Sequence, residues 1–385
     1  MPVYPYAIAS KLPTVQTSIF AVMSKLAQEH NAINLSQGFP GFDCSPELVG
    51  LVEKYMRKGL NQYAPMPGIF SIREIISRKT EELYSIHYDP ETEVTITAGA
   101  TQALFTAISA FVKDEDEVII IEPAYDSYSP AVELAGGKPV FFQLQPGNYS
   151  INWAAFQKLI NLRTKMIIIN TPHNPTGSVL SAADIQKLEK LTQNTDIIVL
   201  SDEVYEHIIF DGLEHQSVAR FPKLAQRSII VSSFGKTLHT TGWKLGYCLA
   251  PANLMVEFRK VHQFNVFSAN TPIQYAYAEF LERKESYLEL SAFYQEKRDF
   301  FLKLFEGSKF IFDRSPGTYF QLLDYSQLSD EQDMAFAKRL TTEYGVASIP
   351  VSVFYHKTFD AKTLRFCFAK NNDELEQAAE RLLKL

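Results

Sequence analysis

Cysteine is scarce. Three occur in 385 residues, Cys44, Cys248 and Cys367, far apart and odd in number. Their spacing supplies neither a metal-ligand pattern nor a disulfide framework, so no metal site is expected and a reducing, cytoplasmic setting is. Basic residues are in deficit: 37 Lys and Arg face 44 Asp and Glu, a formal net charge of -7. That balance argues against nucleic acid or an anionic membrane surface as the main partner. Long apolar runs are missing. Those present, such as "VIII" and "MIII", are far too short to span a bilayer. The N-terminus, MPVYPYAIASKLPTVQ, lacks the charged region and apolar stretch of a secretory signal. Internal repeats and low-complexity linkers are also missing. What remains is ordinary for a globular protein: 46% apolar and 21% charged residues exclude long disorder. The length is too great for one simple core, so two domains are expected.

Short runs rich in Ile and Val recur: "EVTIT" (93–97), "EVIIIE" (117–122), "KPVFF" (138–142), "KMIIIN" (165–170), "DIIVLSD" (196–202) and "RSIIVSS" (227–233). Continuous apolar runs bounded by turns or charges suit strands buried on both faces of a parallel sheet. Helical patterns lie between them. After "TAGATQ", apolar residues fall at Leu104, Phe105, Ile108, Phe111 and Val112, close to a 3.6-residue period. "SAADIQKLEKLTQ" (181–193) begins with a cap-like Ser181 and an acid, Asp184, in its first turn. Strand–helix alternation over roughly 50–250 predicts an α/β domain with helices on both faces. Beyond about 285 the texture changes. Residues 286–307 read as one long amphipathic helix, then come alternating strands, "GTYFQLLDY" (317–325) and "TLRFCFAK" (363–370), and a final helix. The expected division is therefore an N-terminal arm belonging partly to the small domain (1–45), a large domain (46–285) and a smaller α+β domain (286–385). A helix-like stretch, 17–30, could pack on either domain.

Four features fall at the carboxyl ends of these strands or just after them, where open α/β sheets bind ligands. In "TITAGATQAL" a strand gives way to the turn Gly99-Ala100-Thr101 and a helix start, whose free N–H groups form an anion site. In "IINTPHNPTG" (168–177) two prolines stiffen the loop around Asn174, so its amide can be aimed. In "IIVLSDEVYEH" (197–207) Asp202 sits just past an apolar strand, costly without a cation or several donors nearby, and Tyr205 follows. "VSSFGKTLHTTGWKLGY" (231–247) places Lys236 on a loop after a buried strand, with Lys244 close behind. Singly, each has an ordinary reading: a tight turn, a rigid loop, a helix cap, a lysine reaching solvent. Together and in this order they suit a ligand with a phosphate, a phenolic oxygen, a basic ring nitrogen and an aldehyde. Pyridoxal phosphate has all four.

At these motifs the chain resembles the fold-type I, class I/II aminotransferases that use pyridoxal phosphate. "SSFGKTLHTTGWKLGY", "NTPHNPTG", "SDEVY" and "TAGATQAL" match that family's motifs in order and at similar spacing, and the likeness runs from "INLSQGFPGF" (33–42) to "LRFCFAK" (364–370). It is strongest to the methionine aminotransferase branch, near the kynurenine and glutamine transaminases. The resemblance implies an aspartate aminotransferase-like fold: a large domain with a mostly parallel seven-stranded sheet flanked by helices, plus the smaller α+β domain.

The resemblance also implies roles. Lys236 would be the Schiff-base residue and would carry the proton. Asp202 would keep the pyridine nitrogen protonated. Tyr205 and Asn174 would hydrogen-bond the phenolic oxygen. Gly99, Ala100, Thr101, Ser233 and Lys244 would hold the phosphate. Many family members have arginine where Lys244 stands; lysine keeps the charge and loses the bidentate fork. Tyr125 would stack on the ring. Arg365 and Gly38 would bind the substrate carboxylate, with Asn174 beside them. Tyr63 would reach the phosphate of a neighbouring subunit, which makes a homodimer the expected assembly. The implied reaction moves an amino group from an α-amino acid to a 2-oxo acid. No second motif arginine awaits an acidic side chain, and Phe39, Tyr63 and Tyr125 lie near the motifs, so methionine is favoured and aromatic amino acids come next. A C–S β-lyase acting on cystathionine or cysteine S-conjugates shares the same cofactor residues and is the alternative. A cofactor-sensing regulator would carry a DNA-binding segment upstream, for which the motifs leave no room.

Overall fold

The Ile- and Val-rich runs form the centre of the molecule. The computed structural model describes residues 1–145, 147–357 and 359–385. Its strands are β1 (Ile33–Asn34), β2 (Val94–Thr97), β3 (Glu117–Glu122), β4 (Lys138–Gln143), β5 (Thr164–Asn170), β6 (Ile198–Asp202), β7 (Ser228–Ser233), β8 (Gly246–Leu249), β9 (Phe320–Asp324), β10 (Val346–Ala347), β11 (Ile349–Pro350) and β12 (Thr363–Cys367). Seven of them make one sheet in the order β2-β8-β7-β6-β5-β3-β4. Only β8 runs antiparallel to its neighbours; the other pairs are parallel. The fold is thus the α/β architecture with a seven-stranded, mostly parallel sheet that the resemblance implies.

Residues along a strand alternate between two cores, as a pleated strand requires. Val199, Ile167 and Ile169 pack on one face with the helices Phe70–Tyr84, Ala182–Thr192 and Thr271–Phe280. Leu200, Ile198, Met166 and Ile168 pack on the other with Ala100–Phe111, Tyr128–Leu134 and Ala252–Asn265. Ser181 caps its helix as its position predicts: Asp184 N–H donates to the Ser181 hydroxyl, and the Asp184 carboxylate accepts from the Ser181 N–H. One strand departs from the expected double burial. β4 lies at the sheet edge, and only Phe142 of Lys138–Gln143 is buried.

A third apolar cluster joins the C-terminal elements. β11, β12 and β9 form an antiparallel sheet in that order, and β1 pairs with β10. The N-terminal helix, Ile19–Glu29, buries Met23 in this cluster, which answers where the 17–30 stretch packs. The long helix expected over 286–307 is two helices, Glu285–Leu288 and Leu290–Leu304. The break falls where the chain changes cores: Tyr287 is buried in the first cluster, Leu290 and Tyr294 in the third. One straight helix cannot present its apolar stripe to both.

Register places the site. Asn170 at the end of β5 pairs with Asp202 at the end of β6, and Ser233 at the end of β7 pairs with Gly246. Because β8 is antiparallel, its first residue lies beside the last residues of β2 and β7. Lys244, just before β8, therefore returns to the same edge as Lys236, just after β7. Gly246 permits this closeness: a Cβ there would lie 2.5 Å from the Ser232 carbonyl oxygen and 3.1 Å from Ala100 N.

Candidate active site

Lys236 sits in a single helical turn, Phe234–Thr237, directly after β7. Its half-buried amine donates to the Gly38 carbonyl at 2.7 Å and to the Tyr319 hydroxyl at 2.8 Å. Burial pulls its pKa down to about 8, and the Arg365 and Lys244 cations push the same way. Such an amine exchanges a proton near neutral pH, as a general base or acid must.

Asp202 is 4% exposed. Its carboxylate accepts from the Tyr128 hydroxyl at 2.6 Å and from the Val204 N–H at 3.3 Å. Burial outweighs both bonds and raises the pKa to about 6. Among the described residues Asp202 has no salt-bridge partner. A buried carboxylate in this condition suits a cation brought by a ligand.

Gly99 has φ +79°, a conformation favouring glycine, and caps the helix Ala100–Phe111. The helix-start N–H groups face the cavity without a side-chain cap. Lys244 reaches the same turn: a Cβ built on Gly99 would lie 3.5 Å from the Lys244 amine. Ser233 adds a hydroxyl, and Thr101 lies 3.5 Å from the Tyr125 hydroxyl. A long helix start, a lysine and two hydroxyls on one cavity wall form a seat for a phosphate.

Arg365, on β12, is 1% exposed. One terminal nitrogen donates to the Asn174 side-chain oxygen at 2.7 Å and the other to the Ser36 carbonyl at 2.8 Å. Its Nε is buried with no partner among the described residues. The guanidinium lies 3.9 Å from the Phe320 ring centroid, and burial lowers its pKa to about 10. An incompletely satisfied guanidinium in a cavity wall is a receptor for a carboxylate.

These groups line one cavity of about 230 Å³. All the expected site residues line it except Tyr63, which is 82% exposed and packs edge-on against Phe267. Phe39 is also absent from the lining and lies under the Lys370 amine. Tyr205 turns its ring edge-on to Tyr319 and Phe320. The aromatic wall comprises Tyr125, Tyr205, Phe20 and Phe320. Phe20, Phe320, Tyr128 and Tyr319 were not anticipated as site residues. Tyr128 follows Tyr125 in "EPAYDSY", and Tyr319 and Phe320 stand in "GTYFQ", where an aromatic in an apolar run reads as core. Three cations, Lys236, Lys244 and Arg365, face one acid, Asp202, in the lining. The cavity is electropositive and suits a ligand carrying a phosphate and a substrate carrying a carboxylate.

A seat for a phosphate and a buried guanidinium in one cavity at the sheet edge are the arrangement that the aminotransferase resemblance implies. The chain belongs to the aminotransferase class I and II family, whose profile matches residues 30–382. It is 48% identical to the methionine aminotransferase of Escherichia coli (strain K12) over 377 residues, 98% of each chain. It is 34% identical to human kynurenine–oxoglutarate transaminase 1, covering 98% of this chain and 97% of that one. Among solved structures, Escherichia coli YbdL, for which a methionine aminotransferase function was identified, superposes with TM-score 0.97 at 48% identity, covering 99% of this chain and 100% of that one.

Proposed function

We propose that this aminotransferase binds pyridoxal phosphate through Lys236 and moves the amino group of a neutral L-amino acid to a 2-oxo acid, with methionine the favoured donor and aromatic amino acids next. One observation carries the donor class: Lys236, Lys244 and Arg365 are the only cations in the cavity lining among the described residues, and each already has a task. Within one chain none is left for an acidic side chain. Phe20, Phe320 and Tyr125 offer the apolar faces on which a thioether or a ring packs. Methionine is the donor named for the 48%-identical Escherichia coli relative.

When bound, pyridoxal phosphate supplies an electron sink for the pair left at the amino-acid Cα. Ser233, Lys244, Thr101 and the N–H groups after Gly99 would hold its phosphate, and Asp202 would pair with its ring nitrogen. Tyr205 and Asn174 would face its phenolic oxygen, with Tyr125 against its ring. Arg365 orients the substrate carboxylate, and Gly38 lies beside it. Lys236 would take the proton from the substrate Cα and pass it to C4′ of the cofactor, the shift that amino transfer requires. In this reading residues 46–285 form the cofactor-binding domain, 286–385 the smaller one, and 1–45 an arm that adds to it.

A panel of amino donors and 2-oxo acids tests the proposal. Methionine should give the highest kcat/KM, with phenylalanine and tyrosine within about 100-fold and aspartate lower still. A preference for aspartate or glutamate, or pyruvate released from cystathionine faster than amino transfer, would overturn it.

Arg365→Lys should lower kcat/KM for both amino acid and oxo acid by about 10- to 100-fold, mostly through KM, because the charge stays while the fork is lost. Steady-state kinetics with both substrates would read this; an unchanged KM removes Arg365 from carboxylate binding.

Tyr63, exposed here, would complete the phosphate seat of a second copy, so the active species would be a homodimer. Sedimentation equilibrium checks this: an active monomer at assay concentration rejects it.

A further inference from the structure

We infer that Tyr319 and the Gly38 carbonyl form a cradle that holds the free amine of Lys236 with its lone pair left open for the substrate proton, making Tyr319 a positioning residue for Lys236. The inference rests on the reading of Lys236 as the proton carrier.

The hydrogen-bond count carries the argument. A neutral amine has two N–H donors and one lone pair. Lys236 has two acceptors, Gly38 O at 2.7 Å and Tyr319 Oη at 2.8 Å. The tyrosine donates its own proton to the same carbonyl at 2.6 Å. That bond turns a Tyr319 lone pair toward the lysine, so the hydroxyl serves the amine only as an acceptor. Both lysine hydrogens are then engaged, and its lone pair is left uncommitted. In the proton transfer the Cα–H bond breaks, its electrons stay with the substrate, and the proton forms a third N–H bond on Lys236. Passing that proton on to C4′ of the cofactor breaks the third N–H bond and restores the neutral amine. The cradle fixes the amine in each direction without itself gaining or losing a proton.

Tyr319 is well held for this work. It is fully buried, its ring packed against Tyr205, Tyr294 and Phe320 with centroids 5.0–5.6 Å apart. Burial raises its pKa well above the usual phenol range, which keeps the hydroxyl protonated and able to bond Gly38. The charged and titratable groups facing Lys236 are Asp202 at the end of β6, Tyr205 after it, Lys244 before β8, Tyr319 before β9, and Arg365 and Cys367 on β12. Tyr319 alone among these side chains hydrogen-bonds the amine.

Tyr319→Phe removes the acceptor and keeps the ring. Two measurements apply. In cofactor-free protein, the pH dependence of Lys236 acylation by trace reagent, followed by peptide mass, reports the amine's pKa. A hydroxyl acceptor favours the ammonium, so its loss should move that pKa below the wild-type value. In the loaded enzyme kcat should fall about 10- to 100-fold, and the kinetic isotope effect with Cα-deuterated methionine should grow. Tyr294→Phe, which removes a buried hydroxyl with no partner among the described residues, is the packing control and should leave both readouts unchanged. Site-specific 3,5-difluorotyrosine at 319 retains shape and weakens the acceptor, so it serves if the phenylalanine variant folds poorly, and should lower the pKa in the same direction. An unchanged pKa or an unchanged isotope effect overturns the cradle. The acylation readout involves neither cofactor nor amino acid, so it stands apart from the outcome of the donor panel.

Discussion

Lys236→Ala is expected to lower amino transfer by at least about 10⁴-fold, since in the proposed reading one side chain would serve as covalent anchor and as proton carrier. The fold should survive. The lysine is only half-buried, its removal takes a charge out of a cavity that holds two other cations, and Tyr319 retains its bond to Gly38. Stability should therefore change by about 1 kcal/mol or less. Lys244 cannot substitute, because its amine lies over the Gly99 turn at the phosphate seat. Borohydride should link the cofactor irreversibly to wild-type protein, on the peptide containing Lys236, and leave the variant free of it. An alanine variant that transaminates methionine within tenfold of wild type would sink the assignment.

Why Lys236 was legible and Tyr319 was not follows from the physics of burial. A lysine or aspartate at the end of an apolar run is costly unless something compensates it, so Lys236 and Asp202 stand out as candidates, while each alone keeps an ordinary reading and Arg365 enters through the family resemblance. The strands that carry Lys236 and Asp202 also announce themselves, because parallel strands covered on both faces need unbroken apolar runs. An aromatic residue of this kind announces nothing: Tyr319 and Tyr128 look like core, and the polar atom of each is a single hydroxyl whose partners come from elsewhere. Tyr319 meets Gly38 across 281 residues and Tyr128 meets Asp202 across 74. β8 was missed for another reason. Its four residues, Gly246–Leu249, continue the lysine motif without a turn signal, and only its register beside β2 and β7 makes it a strand. The break at Glu289 escaped because periodicity records that a face is apolar and not which core receives it.

Asp202→Asn should separate stability from function. In the cofactor-free protein the carboxyl has a pKa of about 6 against an ordinary value of 3.8. A carboxyl whose folded pKa is raised destabilises the fold as pH rises through both values, here from about 4 to 6, and the cost persists above that window. A shift of this size corresponds to roughly 3 kcal/mol. Asparagine has no charge to desolvate, and its side-chain oxygen can still accept from the Tyr128 hydroxyl. The cofactor-free variant should accordingly unfold at a higher temperature than wild type at pH 7 and lose that advantage near pH 4. Function should move the other way. If Asp202 pairs with the ring nitrogen as proposed, no other carboxylate among the described lining residues can hold its proton, so kcat should drop by about 10³-fold, and the stabilisation gained on adding pyridoxal phosphate should shrink. Paired melting curves with and without cofactor, at pH 4 and pH 7, together with methionine turnover, would decide it. An asparagine variant that turns over within tenfold of wild type would remove Asp202 from the ring nitrogen, whereas one that is inactive but no more stable without cofactor would show that water reaches the carboxylate and relieves its burial.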